Sequence, residues 1–405
     1  MRPLLLREHN TSAAMSIILS DADRHLRLLP LTFTRPVGLL RPGVLTLAEV
    51  WAKRSGLPVS FRAEEHLQER FPLERRGPDR EVDAGLLPDQ ALVDAVLDLE
   101  PGQMLVKKGR LLAIHEEGDA RPSPLAWSLP PTYLHPVEFA GEVLELDRPW
   151  DLFRHCGAAI RNDFDLITEG RRSQPVGALN TVIGDPKLVF LEEGAVMEAC
   201  ILNTTNGPIH IGRNAEVMEG SMLRGPVALG AGAQIKMGAK IYGPSAFGPE
   251  CRVGGEVNNS VMLGYSNKGH DGFLGNSVLG EWCNLGADTN NSNLKNTYGE
   301  VKAWSYVEED LVNTGLQFCG LIMGDHSKSG INTMFNTGTV VGVCCNIFGS
   351  GFPPKMVPSF TWGAADGFMP HAVDKAIATA RLVMERRQVA LSPEDEAILR
   401  RIALR

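Results

Sequence analysis

Aromatic residues make up only 6% of this chain, too few for the stacking platforms that hold single-stranded nucleic acid. Positive charge is short as well: 40 Lys and Arg stand against 48 Asp and Glu, a formal net charge of −8. That sign excludes a protein that coats nucleic acid or an anionic membrane surface. No apolar run approaches the ~18 residues that a membrane-spanning helix needs. The start has only the Leu4-Leu5-Leu6 block, less than a signal peptide's apolar region. Residues 1–14 are therefore expected to be an extension outside the fold. The seven cysteines are an odd number with no C-x-x-C pair, as in a reduced cytoplasmic protein rather than a disulfide framework. No Walker-type phosphate loop and no G-x-S-x-G elbow is present.

What the chain does have is length and ordinary globular composition. Its 405 residues are 43% hydrophobic and 22% charged, enough for at least two folded units with a sizeable core. The 42 Gly and 26 Pro make it turn-rich without a collagen period.

From Ile211 onward every sixth residue is apolar: Ile211, Val217, Leu223, Leu229, Ile235, Ile241, Phe247 and Val253. By chance that run has a probability of roughly 0.001 per placement, too weak to convince over a few hundred placements. Two regularities strengthen it. Gly follows four of the eight, and four residues after each stands a small or β-branched residue: Ala215, Ser221, Val227, Ala233, Ala239, Ser245, Cys251 and Val257. This hexapeptide is the period of a parallel β-helix. The large residue fills the prism, the small one sits where the chain turns, and Gly tolerates the turn's backbone. The period is interrupted between Val257 and Leu279, then returns at Leu279 and Leu285 and loosely at Leu316, Ile322, Met334 and Val340. A β-sandwich would show alternation within strands and irregular spacing between them.

Upstream, Ser16–Leu19 reads as a strand and Val44–Lys53 as an amphipathic helix. Ala91–Leu99 reads as a second helix, and Met104–Lys107 with Arg110–Ile114 as a hairpin turning at Lys108-Gly109. The mixture predicts an α/β domain over residues 15–165, with Arg62–Asp83 a charged surface excursion. A β-helix over 166–365 and a helical tail over 366–405 follow. In the tail, His371–Val389 is helical, and Ser392-Pro393 caps and opens a last short helix.

The interrupted stretch holds the polar run Gly264–Gly275, and a second cluster spans Asn284–Lys295. A local break in a repeat is where a binding site is expected. His270 is the natural general base there, because an imidazole titrates near ~6.5. Glu256, Asn284 and Asn293 offer hydrogen bonds to a sugar or amine, and Lys268 and Lys295 offer charge to a phosphate. The bland alternatives are asparagines that cap corners and a histidine that is merely hydrogen-bonded. The region's histidines, His210, His270 and His326, are far apart in sequence, so zinc is not expected.

These residues carry a resemblance. Residues Leu29–Pro36, Gly264–Lys295 and Gly324–Thr333 resemble the GlmU family in a divergent bacterial form. That family comprises the bifunctional UDP-N-acetylglucosamine pyrophosphorylase/glucosamine-1-phosphate N-acetyltransferases. Asn267-Lys268-Gly269-His270 approximates the family's K-x-G-H segment, and Asn284-Leu285-Gly286-Ala287 matches its N-[IL]-G-A segment. The resemblance implies a nucleotidyltransferase-like amino-terminal domain and a left-handed β-helix that trimerises. It implies acetyl-CoA and an amino sugar phosphate, glucosamine-1-phosphate, between coils of neighbouring subunits. His270 would be the base, with Glu256 contacting substrate. Asn284 and Asn293 would hold the sugar, Ala287 would line the acyl site, and Lys268 or Lys295 would meet the phosphate. Three positions depart from the family: Phe273 replaces a tyrosine, Asn258 a lysine, and Leu294 the tyrosine of an Asn-Tyr pair.

The amino-terminal half lacks the family's Gly-rich loop, since Ser20–Arg24 follows the first strand with no glycine before Gly38. UTP and Mg2+ are its implied ligands. Arg35 and Arg41 would then supply the charge for the nucleotide, and Asp21 or Asp23 would carry magnesium. If not, Asp21-Ala22-Asp23 is a turn and the domain a scaffold. Two other functions stay open: a nucleotidyltransferase whose β-helix only trimerises, and a non-catalytic assembly or regulatory protein.

Overall fold

The structure is a computed structural model and describes residues 15–116, 127, 131–364 and 367–404. The extension expected over residues 1–14 lies outside the described residues. Strand β1 (Ile17–Ser20) is the strand read from Ser16–Leu19, fully buried, and runs into the short helix α1 (Arg24–Arg27). Helix α2 spans Leu47–Ser55, starting three residues later than the apolar pattern suggests. The physical reason is a capping box: the Thr46 hydroxyl accepts from the Glu49 N–H at 3.1 Å, and the Glu49 carboxylate accepts from the Thr46 N–H at 2.6 Å. Strands β2 (Val59–Arg62) and β3 (Arg80–Asp83) flank β1 in parallel. The charged stretch Arg62–Asp83 is thus only partly an excursion, because all four residues of β3 are buried at the centre of the sheet. Their charges are bonded rather than solvated: Glu81 meets Arg62 at 2.6 Å, Asp83 meets Arg110 at 2.6 Å, and Arg80 donates to the Leu99 carbonyl at 2.9 Å.

The domain continues through β4 (Leu86–Leu87), α3 (Gln90–Leu97), β5 (Gln103–Lys107) and β6 (Arg110–His115). Lys108 and Gly109 turn the β5–β6 hairpin with positive φ. Strands β7 (His135–Glu138) and β8 (Leu144–Glu145) follow, giving the sheet order β2-β1-β3-β6-β5-β7. Helix α4 (Asp151–Thr168) closes the domain and runs past residue 165.

Beyond α4 lies a parallel β-solenoid of about ten turns. Its strands stack in three sheets, so each coil contributes one strand to each of three faces. Cα partners are 18 residues apart through the regular coils: Ile211–Leu229–Phe247 on face one, Val217–Ile235 on face two and Leu223–Ile241 on face three. All eight large apolar residues of the hexad are at most 2% exposed, and the small residues four positions on are all buried. Each inward residue contributes about 1.5–3 kcal/mol of transfer free energy.

The six-residue spacing does break between Val257 and Leu279, but the stack of coils does not. The coils shorten there, pairing Phe247 with Met262 and Val257 with Leu274, and stacking continues. The true interruption is later, between Asn291 and Gly320, where the chain leaves the stack to form an antiparallel pair, Lys302–Ser305 with Asp310–Asn313. Leu316 belongs to that excursion. Met334 faces outward, 40% exposed, while Phe335 takes the inward place.

The three faces have different neighbours. Ala228, Ala246, Val261 and Val278 of face one share one hydrophobic cluster with β1, α2 and α4, so the α/β domain covers that face. Face two lies under the end of the carboxy-terminal helix α5 (Val373–Glu385), while helix α6 (Pro393–Ile402) packs in one cluster with Leu29, Phe33 and Leu67 of the α/β domain and Val343 and Cys344 of the solenoid. Helix α6 begins as expected, with the Ser392 hydroxyl accepting from the Asp395 N–H at 3.1 Å and Pro393 in the first turn. Face three is open, with Ile201, Met222 and Tyr242 exposed. Among the described residues no helix is long and apolar enough to cross a membrane.

Arg35 ties the α/β domain to the solenoid. Its buried guanidinium sits against Asp325 and, at 2.9 Å, Glu281. Burial works against its charge, but the two carboxylates outweigh that and raise its pKa further. Truncating one member of a buried pair leaves the other charge uncompensated. Arg35→Ala should therefore cost about 3–5 kcal/mol in chemical denaturation; a loss below ~1 kcal/mol would mean the hydrophobic interface alone holds the domains.

Candidate functional site

His270 is exposed on the corner where the chain passes from face two to face three. Ala287 lies on the same corner one coil on, next to Asp288, whose N–H bonds the Asp271 carbonyl at 3.1 Å. On the face-two side, His270 and Asn284 line a groove of about 420 Å³. On the face-three side, Glu256 pairs with Phe273 in the sheet. There the Asn293 amide donates to Asn276 Oδ1 at 2.8 Å. The corner thus brings His270, Asn284 and Ala287 together and leaves Glu256 and Asn293 on its other side.

The two lysines are placed otherwise than expected. Lys268 occupies the inward row, in register with Val253. It is fully buried, and its ammonium donates to the carbonyls of His270 and, at 2.8 Å, Asp271. Burial pushes its pKa down to about 8, with Asp271 and Asp288 opposing the fall. It fastens the His270 corner from inside and has no route to a phosphate. Lys295 donates to the Glu300 carbonyl at 2.8 Å, in the excursion that leaves the stack.

The charge of the groove comes from other residues. Lys236, Arg252 and Lys328 rise from face two, and Arg386 and Arg387 close over them from the end of α5, while among the described residues no carboxylate lines the groove. Arg387 reaches Glu250 at 3.2 Å and the Asn267 side chain at 3.0 Å. The Nε of Arg252 is buried without a hydrogen-bond partner. Burial and then the neighbouring Arg252 lower the pKa of both Lys236 and Arg387. Such a set, in which Glu250 pairs only with Arg387, has the chemistry to hold an anion. Its sequence signal is the outward position beside each inward residue, which depends on coils of unequal length.

Along the other edge of face two, the corner from face one needs a positive φ at every coil. Early coils use Gly194, Asn214 and Gly232, but later ones place Tyr265 (φ 53°), Trp282 (φ 62°) and His326 (φ 59°) there. Their rings stack, Tyr265 on Trp282 at 4.2 Å between centroids and Trp282 on His326 at 6.3 Å. A bulky side chain in this region costs of order 1–3 kcal/mol and persists where the surroundings enforce it. Burial and then Lys328 drive the His326 pKa down to about 3, so its ring is neutral.

In the α/β domain, β1 lies between β2 and β3, and the crevice at such a switch point is where open α/β sheets bind ligands. A pocket of about 350 Å³ lies there, holding Arg24, Arg110, Asp83, Glu145 and Asp147. Arg24 meets Asp83 at 3.1 Å and also Glu145 and Asp147, and Arg110 meets Asp83 at 2.6 Å. Burial alone would raise the Asp83 pKa, but the two arginines outweigh it and hold it low.

The four residues expected to serve this domain's chemistry do otherwise. Arg35 is the interdomain ion pair, and Arg41 bonds Glu49 at 3.1 Å. Asp21 is buried and accepts from the Val37 N–H at 2.9 Å, with burial raising its pKa well above the carboxylate range. Asp23 is tied to Arg27 at 3.2 Å. An acid that is fully buried on a backbone N–H and an exposed one that is paired with arginine do not fit a magnesium site, which needs carboxylates open to a phosphate.

Residues 17–172 match the model of a family described as sugar nucleotidyl transferase, so the α/β domain is similar to that class. No curated protein matches the chain. Among solved structures, the chain is similar to the polySia specific acetyltransferase NeuO. That match has 12% identity and a TM-score of 0.27, over 48% of this chain and 86% of that one. It is similar to an Arabidopsis UDP-N-acetylglucosamine acyltransferase at 10% identity and TM-score 0.29, over 53% and 80%. It is also similar to AntD, an N-acyltransferase from Bacillus cereus solved with dTDP and 3-hydroxybutyryl-CoA, at 12% identity and TM-score 0.20, over 52% and 92%. These likenesses assign no substrate to this chain.

Lys268→Met tests the inward lysine. The folded chain holds the Lys268 proton only below about 8, the unfolded chain up to the ordinary 10.5. Between those values the unfolded state binds more protons, so this group's contribution to stability rises with pH. Relative to wild type, the Met variant should be most favoured below pH 8 and lose that advantage toward pH 10.5, measured by urea unfolding across pH. A pH-independent difference would place the ammonium in water.

Proposed function

We propose that this chain is a transferase of amino-sugar nucleotide synthesis, working in the cytoplasm as a homotrimer. Its solenoid transfers an acetyl group from acetyl-CoA to the amine of an amino sugar phosphate, glucosamine-1-phosphate in the first instance. The observation that carries this reading is the groove: an exposed histidine and an asparagine beside a basic surface with no lining carboxylate. His270 takes a proton from the amine as its nitrogen attacks the thioester carbonyl, and a backbone N–H steadies the oxyanion. The C–S bond then breaks, and the departing thiolate recovers the proton as free coenzyme A. Asn284 orients the sugar and Ala287 leaves room for the acyl group. Glu256 and Asn293 contact the acceptor from the face-three side, which the open face makes accessible to a neighbouring subunit.

The α/β domain, similar to sugar nucleotidyl transferases, would add the uridylyl group at the switch-point pocket. There a sugar phosphate oxygen attacks the α-phosphorus of UTP and pyrophosphate leaves. Arg24 and Arg110 are the cations in place to hold the triphosphate. Both are paired with carboxylates, so nucleotide must displace those acids.

Acetyl-CoA consumption with glucosamine-1-phosphate tests the first activity. His270→Ala should lower turnover by about 10²–10⁴-fold while the protein keeps its size on a sizing column. Equal turnover in wild type and variant would remove His270 from the reaction. Pyrophosphate release from UTP and N-acetylglucosamine-1-phosphate tests the second, and Arg110→Ala should abolish it. Release unchanged in that variant would move the nucleotide out of the switch-point pocket.

A further inference from the structure

Two features outside the acyl-transfer chemistry meet at one short strand. One is the ring stack on the corner opposite His270, with Tyr265 at its end. The other is an open-mouthed cavity of about 640 Å³ bounded by the α/β domain, the solenoid and helix α6, a size that suits a small ligand. Tyr265 and Trp282 line both this cavity and the cationic groove. The cavity is apolar at Leu39, Val59 and Phe71. At its wall, the Nδ1 of His326, 8% exposed, has no hydrogen-bond partner. On the groove side, Arg252 Nε is likewise unpartnered. A ligand occupying both spaces must be flat and ring-like at one end and anionic along its middle.

We infer that the cavity and groove together take a nucleoside diphosphate, its base against the Tyr265–Trp282 wall and its phosphates among Arg252, Lys328, Arg386 and Arg387. The aromatic wall offers stacking, which any base can use. Arg252, Lys328 and Arg386 offer charge-assisted hydrogen bonds that no carboxylate lining the groove takes, and Arg387 shares its guanidinium with Glu250 at 3.2 Å. Tyr265 and His270 are five residues apart across face two, ~16 Å in extended strand. That is the distance between the base and the sugar in a nucleoside diphosphate sugar, so the sugar falls beside His270. Coenzyme A with its pantetheine arm is longer and would overshoot. The inference rests on the acyl-transfer reading but replaces its acceptor and its order: the amino sugar arrives already linked to a nucleoside diphosphate rather than as the free sugar phosphate. A nucleotidyl transfer must then supply the substrate of the acyl transfer.

Calorimetric titration with UDP tests this, using full-length Arg110→Ala protein so that the switch-point pocket is silent. UDP should bind, and adding Tyr265→Gly or Arg252→Ala should weaken it at least tenfold. Glycine adopts the φ of Tyr265 without strain, so the Tyr265→Gly protein should melt at the same or a higher temperature while binding less. No binding, or equal binding in both variants, would overturn the inference. So would coenzyme A binding that is lost in the same two variants while UDP binding is kept. Acceptor assays separate the two claims. His270-dependent acetylation of glucosamine-1-phosphate without UDP binding sinks the nucleotide site alone. UDP binding at this site with no His270-dependent acetylation of UDP-glucosamine sinks the acyl-transfer reading.

Discussion

The inward row of side chains is the constraint on which the rest of this structure depends. A parallel coil leaves one inward place on each of three faces, and the stack holds only if every place is filled without voids. Large apolar residues fill nearly all of them, and small residues at the turns let the next coil begin. Where the row takes Lys268, its amine finds two corner carbonyls, and an exception in the core becomes a brace for the loop that carries His270.

Because the prism is filled from inside, its outer faces are free to differ. Face one carries small and β-branched residues and docks the α/β domain. Face two carries Lys236, Arg252, Asn267, Asn284 and Lys328 and lies under the end of α5. Face three keeps Ile201, Met222 and Tyr242 in the open. Stacking repeats each outward position every coil, so a change of one residue type per coil builds a surface of one character. The cations of face two sit close enough to weaken one another's charge, a state that an anion relieves.

Much of the architecture was legible because the solenoid's interactions are local in sequence. The eight apolar positions from Ile211 to Val253 are buried as the hexad requires, and the cap at Ser392 and the turn at Lys108-Gly109 form where the residue types place them. The interval after Val257 read correctly as a break in the period, but the continued stacking was hidden, because coils of unequal length break a fixed period while keeping the strands in register. Strand β3 was read as excursion because its Arg and Glu are charged, and only pairing across the sheet makes such a strand buriable. The boundary set at residue 165 cuts through α4, whose apolar residues pack in one cluster with both its own domain and the solenoid.

The site divides in the same way. His270, Asn284 and Ala287 lie within one coil of each other, so short-range spacing sufficed to group them. Lys268 could not be told from a ligand-binding lysine, since one residue of register decides whether a strand side chain points in or out. Arg35 read as a nucleotide contact because its partners, Glu281 and Asp325, are some 250 residues or more away in the chain. By itself, then, the sequence determined the repeating coil, the capped helices and the polar corner, all set by residues within about twenty positions of each other. Tertiary structure alone decided which charges are paired and which are free. That depends on the electrostatic environment, and here the environment is assembled from segments that meet only when the chain has folded.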